Sequence, residues 1–271
     1  MGVINVTPDS FSDGGSFLDA AAALAHARRL ISEGADMIDV GGESTRPGAE
    51  PVPESEEIAR VVPLIRQIHA ESDVRISVDT MKPVVARAAV EAGAAMWNDI
   101  TALGWSPDSA GVAAELGCEV CLMHMQGDPR TMQRDPHYED VVAEVFGFLQ
   151  SRADAAMAAG VRRERIWLDP GIGFGKDKGT AAEAWPTHNL ALLRHLDRLV
   201  ATGFPVLLGV SRKRFIRTID RSAVEAGERL GGSLAGALWG ASQGVKALRV
   251  HDVRQTVQAL KVWDAIEEAG R

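Results

Sequence analysis

Asp79, Asn98, Asp169 and Lys213 bring together two carboxylates, an amide and a cation, the mixture that a planar heterocycle with an amide edge and an exocyclic amine requires. A carboxylate accepts from two adjacent N–H groups at once, while Asn or Lys reaches the carbonyl side of such a ring. Asn5, Arg249 and His251 form a second, partly cationic set suited to a phosphate or diphosphate with Mg2+ as counter-ion. Each residue also has a bland role open to it. Asp79, with Thr80, could cap a helix beginning near residue 83, and Asp169 precedes Pro170-Gly171, an ordinary turn signal. What sets the group apart is where its members fall.

All of them end or closely follow short apolar runs of strand type. Such runs cover 2–5, 37–40, 75–79, 95–99, 119–123, 165–169, 205–210 and 247–250, as in a parallel sheet covered on both faces. Between them lie stretches of 3.6-residue periodicity over 18–34, 54–70, 83–92, 109–116, 139–159, 189–201, 229–243 and 253–268. Gly34, Gly93, Gly117, Gly160, Gly203 and Gly244 close six of these helical stretches, where a left-handed backbone favours glycine. Eight strand–helix units in series predict an α/β protein, a (β/α)8 TIM barrel forming one domain over residues 1–271; a doubly wound open sheet is the alternative.

In such a barrel the chemistry sits at the carboxyl ends of the strands. Strand one ends in Asn5, strand three in Asp79, strand four in Asn98-Asp99 and strand six in Asp169. Strand five runs into His124, strand seven into Ser211-Arg212-Lys213, and strand eight into Arg249 and His251. Strand two lacks a polar end; its loop holds Gly41-Gly42-Glu43-Ser44-Thr45-Arg46-Pro47-Gly48. Charged groups crowded on one rim must share a ligand or carry a desolvation cost.

Composition removes other classes. With 271 residues, 46% hydrophobic and 24% charged, the chain can bury a large core without staples. Two cysteines exclude a disulfide scaffold and favour a reducing compartment. Cys118 and Cys121 have CxxC spacing but sit at a buried strand with no second pair, which reads as core thiols. A net charge of −8 offers no basic field for nucleic acid or an anionic membrane. No apolar run approaches the ~18 residues of a membrane span, and the first 20 residues carry no basic side chain, unlike a signal peptide. The expectation is a soluble, cytoplasmic protein with small-molecule partners. Gly171-Ile172-Gly173-Phe174-Gly175-Lys176 looks like a phosphate loop, but the Walker spacing and the following Ser or Thr are missing.

Taken in order, these pieces resemble the dihydropteroate synthase family over essentially the whole chain. The strongest are Asn5-Val6-Thr7-Pro8-Asp9-Ser10-Phe11-Ser12-Asp13-Gly14-Gly15 and the loop from Gly41 to Gly48. Ser77-Val78-Asp79-Thr80, Asn98-Asp99-Ile100, the run from Asp169 to Lys176, Ser211-Arg212-Lys213 and Arg249-Val250-His251-Asp252 support them. The resemblance implies condensation of 6-hydroxymethyl-7,8-dihydropterin diphosphate with 4-aminobenzoate, giving dihydropteroate and diphosphate. It implies that Asp79, Asn98, Asp169 and Lys213 hold the pterin, and that Asn5, Thr45, Arg249 and His251 hold diphosphate, with Asn5 on Mg2+. Phe11, Arg46, Pro47, Phe174 and Ser211 would face aminobenzoate, and Asp13, Arg46, Asp79 and Lys213 would be catalytic. It also implies a homodimer and a target for sulfonamides.

The sequence departs from the family pattern in places. Residues 177–187 stand where the family usually has only a few, beside Phe174; they read as surface elaboration or as a device that alters discrimination between aminobenzoate and sulfonamides. Arg217 stands where Gly is expected, which reads as an exposed loop change. The family usually carries a stretch before the first strand, often a hairpin closing the barrel's N-terminal face. With a strand at residue 2, that hairpin reads as short or absent: either the chain begins upstream or other residues cover the floor. Two rivals remain, a pterin-binding methyltransferase and a non-catalytic pterin-binding paralogue. The first has no use for the Ser-Thr-Arg-Pro-Gly loop or the Arg-x-His corner, and the second should have lost Asp13 or Arg46.

Overall fold

The computed structural model describes residues 1–6, 16–44, 50–128, 131–132, 135–176 and 185–269. Its strands form where the apolar runs predict them: β1 (Gly2–Asn5), β2 (Met37–Gly41), β3 (Arg75–Asp79), β4 (Met96–Asp99), β5 (Glu119–Met123), β6 (Ile166–Asp169), β7 (Leu207–Leu208) and β8 (Ala247–Leu248). The helices are α1 (Ser16–Ser32), α2 (Glu54–Glu71), α3 (Pro83–Glu91), α4 (Ser109–Leu116), α5 (Val141–Ala158), α6 (Thr187–Arg194), α7 (Leu196–Val200), α8 (Arg214–Ile219), α9 (Leu230–Ser242) and α10 (Val253–Ala269).

Strands β1 to β6 pair in chain order, all parallel, and β7 pairs with β8. Two parallel bridges join the pieces, Leu168 with Val206 and Gly2 with Val250. The backbone bonds there are Leu168 N to Pro205 O (2.9 Å), Val3 N to Val250 O (3.2 Å) and Val250 N to Met1 O (2.9 Å). The eight strands therefore close on themselves, a (β/α)8 barrel rather than an open sheet. Regular pairing in the runs 205–210 and 247–250 shrinks to two residues each. Pro205 has no N–H to give a ladder, and beyond Leu208 the pairing continues as a bond from Arg249 N to Leu208 O (2.9 Å).

Side-chain alternation builds the layers. Outward residues such as Ile4, Ile38, Val40, Val78, Trp97, Leu122 and Leu168 share one core with helix faces, among them Ala23, Ala27 and Leu30 of α1 and Val61, Ile65 and Ile68 of α2. Inward residues at the amino ends make a separate cluster of Met37, Met96, Cys121, Trp167 and Leu207, with Met1 and Ala247 packed on it. That sulfur-rich layer covers the barrel floor. Cys118 and Cys121 are both buried thiols, as the spacing argument expects of core residues.

The six glycines expected to end helices all have left-handed φ, from 61° at Gly117 to 117° at Gly93. The expected helix over 189–201 is instead two helices, because the chain leaves helical geometry at His195 (φ −109°, ψ 23°). Helix α8 is additional to the expected elements, and it carries Arg217 exposed on a helix rather than on a loop. Among the described residues no helix is long and apolar enough to cross a membrane.

Candidate active site

The period of two that places the floor also places the layer above it. Two residues on from Met37, Met96, Trp167 and Ala247 stand Asp39, Asn98, Asp169 and Arg249, so the interior turns from apolar to charged within one step. The Arg249 guanidinium joins them. Its Nε donates to Asp39 Oδ2 (2.6 Å) and its Nη2 to Asp79 Oδ2 (2.7 Å). Asn98 Nδ2 donates to the same Asp39 oxygen at 3.3 Å. Asp79 caps nothing: the N-cap of α3 is Lys82, without a side-chain cap. Asp169 does make its turn, accepting from Gly171 N at 2.7 Å, and still lies in the interior layer.

Above this layer the loops after β6, β7 and β8 lean together. Lys213 Nζ sits 4.1 Å from the centroid of the Phe174 ring. A β-carbon at Gly173, whose φ is +84°, would stand 3.2 Å from Lys213 Cδ, so glycine lets the loop approach this lysine. Ser211 Oγ accepts from His251 N (3.2 Å) and lies 3.0 Å from its Nδ1. Between Ser211 and Lys213 the backbone of Arg212 is left-handed, φ +60°. Its guanidinium grips Asp252 twice (3.0 and 2.6 Å), its N–H donates to Ser233 Oγ (2.8 Å), and Arg229 donates to its carbonyl (2.9 Å). These bonds hold a conformation that a non-glycine residue adopts at a cost.

Burial sets the charge states. It pushes the Lys213 amine down to about 8; Arg249 adds to the effect and Asp169 and Asp79 oppose it. It raises the Asp79 carboxyl, against Arg249 and with Asp39, and raises Asp169 against the Gly171 N–H. Burial first, then Arg249, Arg212 and Lys213, push the His251 imidazole down to about 3, so this ring is neutral near pH 7. Three carboxyl groups, Asp39, Asp79 and Asp169, thus face two cations, Arg249 and Lys213, with Asp79 raised to about 7 so that it is only partly ionised near neutral pH.

Oxygen donors for a cation lie at one edge. The space over Gly41 is bordered by Asn5 Oδ1 and Asp79 Oδ2, which stand 3.5 and 3.7 Å from where a β-carbon would be. Asp79 Oδ2 already accepts from Arg249, which leaves Asn5 Oδ1 as the hard oxygen there of the kind Mg2+ takes.

Not every expected residue joins the site. Phe11, Asp13, Thr45, Arg46 and Pro47 lie outside the described residues, as does most of the run 177–187. Asp99 faces away and caps its own loop, accepting from Thr101 N and Leu103 N. His124 turns under the β6 loop, edge-on to Phe148, with Lys176 Nζ 2.9 Å from its Nδ1. Asp39 is the residue that reading strand ends passes over, since it sits mid-strand; the signal was its parity with Met37. An apolar wall of Met81, Ile100 and Met123, with Met125 and Phe174 against it, was equally silent in a search for polar groups. Asp39 Oδ1 and Ser77 Oγ are buried without a protein partner among the described residues, the condition in which a bound group or water completes the set.

A parallel barrel whose mouth mixes carboxylates, an amide and cations over an apolar wall defines a class, the barrel enzymes that hold a flat polar heterocycle. Residues 1–251 match the family described as pterin binding enzyme. The dihydropteroate synthase of Haemophilus influenzae is 45% identical over 269 residues, covering 99% of this chain and 94% of that protein. That of Escherichia coli is 46% identical over 265 residues, covering 98% and 90%. The solved structure of Xanthomonas albilineans dihydropteroate synthase with 4-aminobenzoic acid superposes with a TM-score of 0.90 at 49% identity, covering 98% of this chain and 92% of that one. The same enzyme with 7,8-dihydropteroate gives 0.86 at 46% identity over the same shares. The chain belongs to the dihydropteroate synthase family of pterin binding enzymes.

Proposed function

We propose that this chain carries out its family's transferase reaction, joining 6-hydroxymethyl-7,8-dihydropterin diphosphate to 4-aminobenzoate with loss of diphosphate, a step of folate biosynthesis. The observation that carries the reading is the interior layer of Asp79, Asn98 and Asp169 opposed by Lys213 and Arg249. The pterin's N–H edge suits the carboxylates and its carbonyl suits Asn98 and Lys213. Arg249 spends two of its five donors on Asp39 and Asp79, which leaves three for an anion. His251 and Asn5 complete the diphosphate corner with Thr45. Phe174 and Ser211 line the aminobenzoate side with Phe11, Arg46 and Pro47. Asn5 would hold Mg2+, which when bound would supply charge stabilisation to the departing diphosphate.

The aryl amine is a weak nucleophile, so we propose that the C–O bond to diphosphate breaks first. The electron pair leaves with diphosphate, and the pterin methylene is left cationic. The carboxylates of Asp169 and Asp79, with Asp13, stabilise that cation. The amine then attacks the methylene carbon, the C–N bond forms, and the amine's proton passes to the departed diphosphate or to water. A series of ring-substituted aminobenzoates tests the order: a shallow dependence of the chemical step on amine basicity supports it, and a steep one overturns it. Diphosphate release measured with and without 4-aminobenzoate, and across a sulfonamide titration, tests the activity. A methyltransferase or a silent paralogue would release none.

We also propose a cytoplasmic homodimer. Val262 and Ile266 on α10 are 56% and 66% exposed, and with Val257 they border one groove. Large apolar side chains grouped in this way mark contact surfaces. Light scattering of wild type and Ile266→Glu tests it, a dimer that dissociates being the supporting result.

A further inference from the structure

Lys82 follows β3 and is 5% exposed, buried with two carboxylates. Its three N–H bonds find three acceptors: Glu43 Oε2 (2.5 Å), Glu57 Oε2 (2.6 Å) and the carbonyl of Val52 (2.5 Å). Glu43 lies on the stem by which the chain leaves β2, Val52 on the stem by which it returns, and Glu57 in the first turns of α2. One ammonium thus ties both stems of a single loop to the helix that follows. The outgoing stem is held twice more. Arg60 Nη1 donates to Gly42 O at 2.7 Å, and a β-carbon at Gly42 would press on Val61 Cγ1 and Glu57 Cγ at 2.8 and 2.9 Å.

We infer that Lys82 is a positioning residue that holds both stems of the β2–α2 loop, at Glu43 and Val52, against Glu57 of α2. The inference rests on the proposed function in one respect, the assignment of Thr45, Arg46 and Pro47 to the site. Lysine suits the task because an ammonium offers three donors to acceptors from separate segments, where a planar guanidinium favours one flat partner. Burying one cation with two carboxylates is a poor route to stability, because removing charges from water offsets their attraction. A role in holding the loop accounts for the arrangement better.

The test uses Lys82→Met and, because that change leaves the buried Glu57 without its cation, also Glu43→Ala, which frees one stem at a partly exposed position. Hydrogen exchange on the intact protein should quicken in peptides covering 42–44 and 50–53 in both variants, with the floor and β5–β6 unchanged. In the synthase assay KM for 4-aminobenzoate should rise about tenfold, a loss of about 1.4 kcal/mol, while KM for the pterin diphosphate stays within about twofold. Glu43→Gln, which still accepts from Lys82, should restore most of the loss. Unchanged exchange at the stems in folded variants, or both KM values rising together, overturns the inference. Exchange does not depend on turnover, so an inactive wild type would sink the proposed function and leave the clamp to be judged by exchange alone.

Discussion

Arg249 is held from two sides by Asp39 and Asp79, and a lysine there cannot reproduce a planar fork. Arg249→Lys should lower kcat/KM for the pterin diphosphate by roughly 30-fold or more, the loss of about 2 kcal/mol or more expected when a buried charge pair is broken. Steady-state kinetics at saturating aminobenzoate reads it. Lys213 sets a pH dependence. Burial depresses its amine to about 8, so the ammonium is present below that value and lost as pH rises through it. In the free enzyme kcat/KM for the pterin diphosphate should therefore fall above pH 8, whereas a profile flat to pH 10 would remove Lys213 from binding. Neither residue can be ranked from sequence alone, because a charge state is fixed by burial and neighbours. The strand-end rule finds Arg249 and Lys213 but not Asp39, which helps to orient one of them.

Loops and helices carry the next set of constraints. The β6 loop turns at Gly171 with φ +67°, and a β-carbon there would stand 2.0 Å from the carbonyl oxygen of His124. Backbone cannot step aside as a side-chain tip does. Gly171→Ala should cost about 2 kcal/mol or more through strain and overpacking together. A thermal melt should show the loss, and pterin binding should weaken with it, since Asp169 and Phe174 flank the turn. Strand and helix positions were readable because periodicity and glycine ends report local geometry. The break at His195, helix α8 and the two-residue pairing of β7 and β8 were not, since each depends on what the chain packs against. Outward Asp99 and inward Asn98 look alike as letters; the pleat alone separates them.

For the barrel as a whole, ligand binding should appear as stability. Inorganic diphosphate with Mg2+ should raise the melting temperature more than either alone, by up to about 2.7 kcal/mol of stabilisation at 100 times its dissociation constant. Chelation by EDTA should reverse the gain. A melting curve indifferent to Mg2+ would remove the ion from the Asn5 corner. The apolar floor of Met37, Met96, Cys121, Trp167 and Leu207 should be untouched by these additions, since its side chains lie below the charged layer.

The barrel closes as six strands plus two, and its charges divide along the same line. Asp39, Asp79 and Asp169 ride on the six-strand piece; Lys213 and Arg249 ride on the pair β7–β8. The ion pairs from Arg249 to Asp39 and Asp79 therefore tie the two pieces together through the interior, on the side of the seam where Gly2 and Val250 form a single strand-to-strand bridge. An anion received by the three remaining Arg249 donors leaves that tie in place. The guanidinium that faces the phosphate corner is thus also the rivet that joins the two pieces of the hoop, so loss of Arg249 should weaken closure of the barrel as well as ligand binding.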